Sequence, residues 1–315
     1  MTNILFTFSV KEKLIEQLQA EFREVEFTFS SIEDVDALRK AEIIVTYGED
    51  LTKETLDQAL ALKWLMVASA GLEKMPLSEI GERNIFMTNV KGIHKIPMAE
   101  SVMAHLLALK RAIPWIYSQQ VKHEWIKRSG STELFGSTAI VLGPGAIGSE
   151  IGRLLQAFGV KTIGCNRSGV DAPHMDDMIS FEQLADALPK ADIIISVLPS
   201  TRETSSLLTY EHFVLMKEDG IFMNFGRGDL VKEEDLLKAM KENQIAYAVL
   251  DVFENEPLSE NHPLWDMEGV IVSPHVSSHS SEYVPRALEI FTHNLHEWLK
   301  GGTDFQNVID VEKGY

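Results

Sequence analysis

The strongest constraint on this chain is a regular alternation of short apolar runs with helix-period segments. It begins with NILFTF at residues 3–8, followed by VKEKLIEQLQAEF at 10–22. VEFTF, IEDVDALRK, EIIVT, TKETLDQAL, WLMVAS and NIFMTN continue it to residue 89. The segment GIHKIP reads as a loop, and one long helix is expected from about Met98 through SVMAHLLALKRAI towards Trp115, bridging two domains. The alternation then restarts with the strands STAIVLG, VKTIGC, ADIIISVLP, GIFMNFG, IAYAVLDV and VIVSPH. Alternation of this kind specifies parallel sheets with crossover helices. The tail SEYVPRALEIFTHNLHEWLKGG reads as a helix closed by Gly301 and Gly302, able to return to the first domain.

A length of 315 residues suits two domains of ordinary size. Lys and Arg total 29 against 47 Asp and Glu, a formal net charge of −18. Such an acidic surface repels phosphate backbones and anionic lipid, so neither nucleic acid nor a membrane is expected as partner. An anionic ligand must instead be held locally, by helix N-termini or placed arginines. The N-terminus lacks the basic, then apolar, pattern of a secretory leader, and the single Cys165 admits no internal disulfide. A cytoplasmic protein is expected, with Cys165 as a small buried residue at a strand end rather than a nucleophile.

Four constellations carry chemistry. IVLGPGAIG, residues 140–148, places Gly143, Gly145 and Gly148 in G-x-G-x-x-G spacing between a strand and a helix. Gly143 permits a tight turn, Gly145 lets a pyrophosphate approach the backbone, and Gly148 lets helix and strand pack closely. NFGRGDLV sets Arg227 between two glycines at a strand end, where its planar fork suits a carboxylate. LDVFENEPL places Asp251 at the next strand end and Glu256 in the turn beyond. IVSPHVSSHS puts His275 after the last strand. His293 and His296 stand three apart on the tail helix, but no third His or Cys joins them, so no metal site is expected. The order matters more than any one motif. A nucleotide turn, an Arg, a Glu and a His at successive strand ends converge on one crevice.

In that order and in its segments the chain resembles the D-isomer-specific 2-hydroxyacid dehydrogenases over nearly its whole length. Segments that carry the likeness include LKWLMVASAGLEKM, NVKGIHKIPMAESVMAHLLAL, VLPSTRETSSLL and NVIDVEKGY besides the four above. The resemblance implies two Rossmann-like doubly wound parallel-sheet domains with the active site in the cleft between them. Residues 1–98 completed by 286–315 would form the substrate domain and 99–285 the dinucleotide domain. It also implies a catalytic trio of Arg227, Glu256 and His275, with Ala70 and Gly71 holding the substrate carboxylate alongside Arg227. Gly143, Gly145, Ala146, Ile147 and Gly148 would cradle the dinucleotide. Leu198, Pro199 and Thr204 would line the adenosine side, and Phe225, Asp251, Ser277 and Ser278 would approach the nicotinamide. Glu73 departs from the pattern, since many members carry a shorter acid there.

The implied reaction reduces a small 2-oxo acid, glyoxylate- or hydroxypyruvate-like, to the D-2-hydroxy acid. Reduction needs a hydride from a nicotinamide and a proton on the carbonyl oxygen. His275 suits proton donation, Glu256 favours its imidazolium, and Arg227 stabilises charge on oxygen. Three alternatives are a phosphoglycerate dehydrogenase-like activity, formate oxidation, and a non-catalytic dinucleotide sensor on the same fold. Glu256 beside His275 argues against formate oxidation, which needs no acid–base pair.

Cofactor choice turns on IGCNRSG. Asn166 stands eighteen residues after Gly148, where an NAD-binding chain places a carboxylate for the ribose 2′-hydroxyl. Arg167 and Ser168 then suit a 2′-phosphate, so NADP is expected, with NAD possible. A homodimer is expected through the long helix, which carries Val102, Met103, Leu106, Leu107 and Leu109.

Overall fold

A computed structural model describes residues 1–69, 72, 75–127 and 130–311. The chain divides into two compact units, Met1–Ile93 with Ser280–Tyr315, and His94–His279. Both are built on wholly parallel sheets, as the alternation requires.

In the first unit the strands are β1 (Thr2–Phe6), β2 (Val25–Phe29), β3 (Ile43–Thr46), β4 (Trp64–Val67) and β5 (Phe86–Asn89). Helices α1 (Glu12–Glu21), α2 (Val35–Lys40), α3 (Lys53–Gln58) and α4 (Leu77–Glu82) connect them. The strand order is β2-β1-β3-β4-β5. Because side chains alternate across a strand, Leu5 packs into one core while Ile4 and Phe6 pack into the other. Both faces of β1 are therefore apolar, as expected for a sheet covered on two sides.

The second unit opens with α5 (Lys95–Lys110) and α6 (Ile113–Val121). The single helix expected from Met98 to Trp115 is two helices, and the first begins inside the segment read as a loop. Pro114 explains the break. It has no N–H and its ring would strike the carbonyl of Lys110, so it fits only the first turn of a new helix. Ala112 turns the chain there with φ +53°. Then come β6 (Thr138–Leu142), α7 (Ala146–Ala157), β7 (Lys161–Asn166) and β8 (Asp177–Ser180). The remaining elements are α8 (Leu184–Ala187), β9 (Ile193–Ser196), α9 (Tyr210–Leu215), β10 (Ile221–Asn224), α10 (Glu233–Lys241), β11 (Tyr247–Leu250) and β12 (Val270–Val272).

The order in this sheet is β12-β11-β10-β9-β6-β7-β8. The sequence order reverses between β6 and β9, which creates the switch point where such sheets bind ligands. Helix α5 belongs to this unit, and packs Val102, Met103 and Leu106 into one core with Ile151 and Leu155 of α7. The last helix, α11 (Tyr283–Lys300), belongs to the first unit. Its Phe291 and Leu295 join Phe6 and Trp64 in one core, and Gly301 closes it with φ +68°.

Candidate active site

The chemical residues of the second unit that the sequence singles out cluster at the carboxyl ends of its strands and in the segments that follow them. The glycine turn follows β6, where Gly143 has φ +88°, a left-handed conformation that favours glycine. A Cβ on Gly148 would stand 2.3 Å from the Gly143 carbonyl oxygen, so only glycine lets α7 start so close to β6. A Cβ on Gly145 would meet nothing within 4 Å. Gly145 is also the N-cap of α7, and no side chain caps that helix. A dinucleotide phosphate fits this arrangement, because open backbone faces the free N–H groups of a twelve-residue helix. Ala146 is exposed here, and Ile147 is half-buried against the α5–α7 core.

A depression of about 380 Å3 adjoins the turn, lined by Gly143, Pro144, Gly145, Asn166, Val170, Asp171, Ala172, Val197 and Pro199. Leu198 is buried against Gly143 and Gly226. Thr204 is buried too, and its hydroxyl donates to the Pro199 carbonyl at 2.6 Å, holding that loop in shape. The Asn166 side chain folds its own loop. Its Oδ1 accepts the N–H groups of Ser168, Gly169 and Val170, and its Nδ2 donates to the Val170 carbonyl. Arg167 and Ser168 are exposed beside it, and Arg167 lies 3.7 Å from Glu203.

At the end of β12, Nδ1 of His275 lies 2.8 Å from Oε2 of Glu256. The other carboxylate oxygen of Glu256 accepts the Phe253 N–H at 3.1 Å, which aims the group at the imidazole. His275 has φ +54°, an uncommon conformation for a side-chain-bearing residue. Asp251, fully buried, holds it there. Its carboxylate accepts the Ser273 hydroxyl at 2.6 Å and the N–H groups of Val276 and Ser277 at 3.0 and 3.1 Å. Ser277 is buried and its carbonyl accepts the Ser101 hydroxyl of α5, while Ser278 is half-buried.

Arg227 is half-buried after β10, its guanidinium donating to the Gly226 carbonyl at 2.9 Å. The two flanking glycines have distinct jobs. A Cβ on Gly226 would stand 2.4 Å from the Leu198 carbonyl oxygen, and one on Gly228 would stand 2.0 Å from the Phe253 carbonyl carbon. Gly228 thus lets the Arg227 segment lie directly on the loop that carries Glu256. The Phe225 ring is 2% exposed and sits among the apolar residues packed beneath α5.

Ala70, Gly71 and Glu73 lie outside the described residues. Cys165 is buried, and burial pushes its thiol up to about 12, which leaves no thiolate at neutral pH. On α11, Nε2 of His296 lies 2.7 Å from a Glu21 oxygen, and His293 pairs instead with the Asp304 carbonyl. Glu297 and Asp304 bring carboxylates close to His293, a grouping the sequence spacing missed, but Lys300 lies 2.5 Å from Glu297 and neutralises it.

Residues 103–277 match the family model described as "D-isomer specific 2-hydroxyacid dehydrogenase, NAD binding domain". A glyoxylate reductase of Thermofilum pendens is 32% identical over 86% of this chain and 80% of its own. A D-3-phosphoglycerate dehydrogenase of Methanocaldococcus jannaschii is 30% identical over 99% of this chain, which spans 60% of that relative's length. A solved D-isomer specific 2-hydroxyacid dehydrogenase family protein of Aeromonas salmonicida superposes with a TM-score of 0.88. It is 32% identical, with 99% of this chain and 100% of the other covered. A dinucleotide turn at the switch point and a matching family model over more than half of the chain lead to one conclusion: the chain belongs to the NAD(P)-dependent D-isomer specific 2-hydroxyacid dehydrogenases.

Proposed function

We propose that this enzyme reduces a small 2-oxo acid of the glyoxylate or hydroxypyruvate kind to the D-2-hydroxy acid, using NADPH. The contact that carries the reading is the 2.8 Å approach of Glu256 to Nδ1 of His275. It leaves Nε2 as the ring's outward nitrogen, the atom that delivers a proton to the substrate oxygen. Glu256 fixes the ring's orientation. Arg227 binds the carboxylate and stabilises negative charge developing on the carbonyl oxygen. The glycine turn and the N-terminus of α7 hold the dinucleotide, and the bound nicotinamide supplies the hydride. A turnover panel of glyoxylate, hydroxypyruvate, pyruvate and 3-phosphohydroxypyruvate tests this. Fastest turnover of 3-phosphohydroxypyruvate would replace the reading with phosphoglycerate dehydrogenase chemistry. Absence of turnover with all four would replace it with a dinucleotide sensor.

The residues at the end of β7 favour NADPH over NADH. Asn166 carries no charge and is engaged in folding its loop, and the exposed Arg167 stands beside it. Hydrogen bonds to charged groups contribute about 1.5–3 kcal/mol, so one Arg–phosphate contact gives about 10- to 150-fold preference. Steady-state kinetics with both cofactors measure it, and kcat/KM for NADH equal to that for NADPH would exclude it.

A homodimer is the second element of the reading, with the contact face moved along the chain. The apolar residues of α5 are largely used within their own unit, whereas α6 and its sequel leave Tyr117, Val121 and Trp125 at 62%, 82% and 92% exposure. A second copy covering this face removes that apolar surface from water. Sedimentation at micromolar concentration tests it, and a Val121→Glu variant should be monomeric.

A further inference from the structure

The end of β7 lacks a carboxylate in the sequence, yet the fold returns one to it from elsewhere in the chain. Glu203, on the loop after β9, places Oε1 3.7 Å from a guanidinium nitrogen of Arg167. The two backbones that present these side chains are both held in place. Asn166 folds the Arg167 loop through four hydrogen bonds, and the Thr204 hydroxyl ties the Glu203 loop to the Pro199 carbonyl and accepts the Thr201 N–H. Both side chains are exposed, at 77% for Arg167 and 52% for Glu203.

We propose that Glu203 is a second determinant of cofactor choice: it competes for Arg167 with the 2′-phosphate of the dinucleotide and so limits the preference for the phosphorylated form. The inference rests on the NADPH reading above. Its own backbone N–H and the Thr201 hydroxyl hold the Glu203 carboxyl below the usual carboxylate range, with Arg167 and Arg202 adding to the effect. Glu203 is therefore ionised at neutral pH. A 2′-phosphate that pairs with Arg167 must both displace this carboxylate and accept its repulsion. Asp171 lines the depression beside Asn166, but the ion pair with Arg167 is made by Glu203. An ionic contact between exposed groups is weak, so the phosphate can win it. The outcome is a graded preference rather than an exclusive one.

The size of the effect is set by charge and distance. Charges in water about 4 Å apart change an equilibrium by only several-fold, and the phosphate carries nearly two charges. After screening by salt, neutralising Glu203 should tighten a 2′-phosphate ligand by about 3- to 10-fold.

Calorimetric titration of the full-length protein with 2′,5′-ADP and with 5′-AMP reads this without turnover. The wild type should favour 2′,5′-ADP, and Arg167→Ala should lose that preference. Glu203→Gln keeps the shape and hydrogen-bonding reach of the side chain while removing its charge. It should bind 2′,5′-ADP about 3- to 10-fold more tightly and 5′-AMP unchanged. An unchanged ratio in Glu203→Gln, or an equal gain for both probes, would overturn the role of Glu203 while leaving the NADPH reading intact. Equal affinity of the wild type for both probes, unaltered by Arg167→Ala, would overturn the NADPH reading and this inference with it.

Discussion

The buried carboxylate of Asp251 accepts the hydroxyl of Ser273 at 2.6 Å and, through its two oxygens, the N–H groups of Val276 and Ser277. One acid at the end of β11 thereby grips the segment around His275 on both sides. Asp251→Asn replaces an acceptor oxygen with a donor NH2 that faces N–H groups. It should lower stability by about 2–3 kcal/mol, the worth of a hydrogen bond to a charged group. Misplacing the imidazole should lower kcat by about 10- to 100-fold. Urea unfolding and steady-state kinetics measure the two effects. A change in cofactor affinity alone, with kcat intact, would show that Asp251 serves only the dinucleotide.

Removing the imidazole tests its role as acid directly. His275→Ala should lower kcat by about 10²- to 10⁴-fold, and wild-type rates in that variant would end the assignment. Glu256→Gln keeps a hydrogen-bonding partner for Nδ1 but removes the carboxylate that aims the ring. Its kcat should fall while substrate affinity changes little, which steady-state kinetics resolves.

Gly228 makes a steric prediction. A methyl group there would collide with the Phe253 backbone, so Gly228→Ala must push the Glu256 loop away from Arg227. Overpacking of this kind costs about 1–3 kcal/mol. The same displacement should raise KM and lower kcat together, since both Arg227 and Glu256 move. Kinetics indistinguishable from wild type would show that the loop yields without consequence.

His94 gives the second unit a pH dependence of stability. It is 7% exposed at the start of α5, and burial pushes its imidazolium down to about 4. In the unfolded chain a histidine titrates near 6.5. Between those values the unfolded state takes up a proton that the folded state refuses. Stability is thus complete above about pH 6.5 and is lost as pH falls towards 4, by up to about 3 kcal/mol. Urea midpoints between pH 7 and 4 should show this slope, and His94→Asn should flatten it.

The parallel sheets and the glycine turn were legible because their signals are local. A strand buried on both faces reads as a continuous apolar run, and Gly143 and Gly148 are required by backbone geometry within six residues. Strand β8 escaped notice because DMIS is short, begins with an acid and lies at the sheet edge with no fully buried side chain. The break between α5 and α6 was signalled by Pro114 but overridden by the apolar residues on either side of it. Asn166, Asp251 and Phe225 show a different limit. Spacing placed Asn166 and Asp251 at strand ends and the resemblance set Phe225 beside the nicotinamide, but what a side chain there bonds to depends on residues far along the chain. Asn166 folds its loop, Asp251 fastens the His275 segment, and Phe225 fills the core. The approach of Glu203 to Arg167 joins residues thirty-six apart on different loops, and no sequence pattern announces it.

The first unit is made from two separated stretches of chain, and this sets the order in which the molecule can be completed on the ribosome. Phe6 and Trp64 emerge early, but the residues that cover them, Phe291 and Leu295, are synthesised more than two hundred residues later. The edge strand β5 waits likewise for Val308, which bridges to Thr88. His94–His279, by contrast, is contiguous and can close its core while the tail is still being translated. The part of the chain that is born first is therefore the last to be finished. Until α11 arrives its apolar sheet face stays open to solvent, so a stop codon between His279 and Tyr283 should leave the second unit able to fold and the first prone to aggregate.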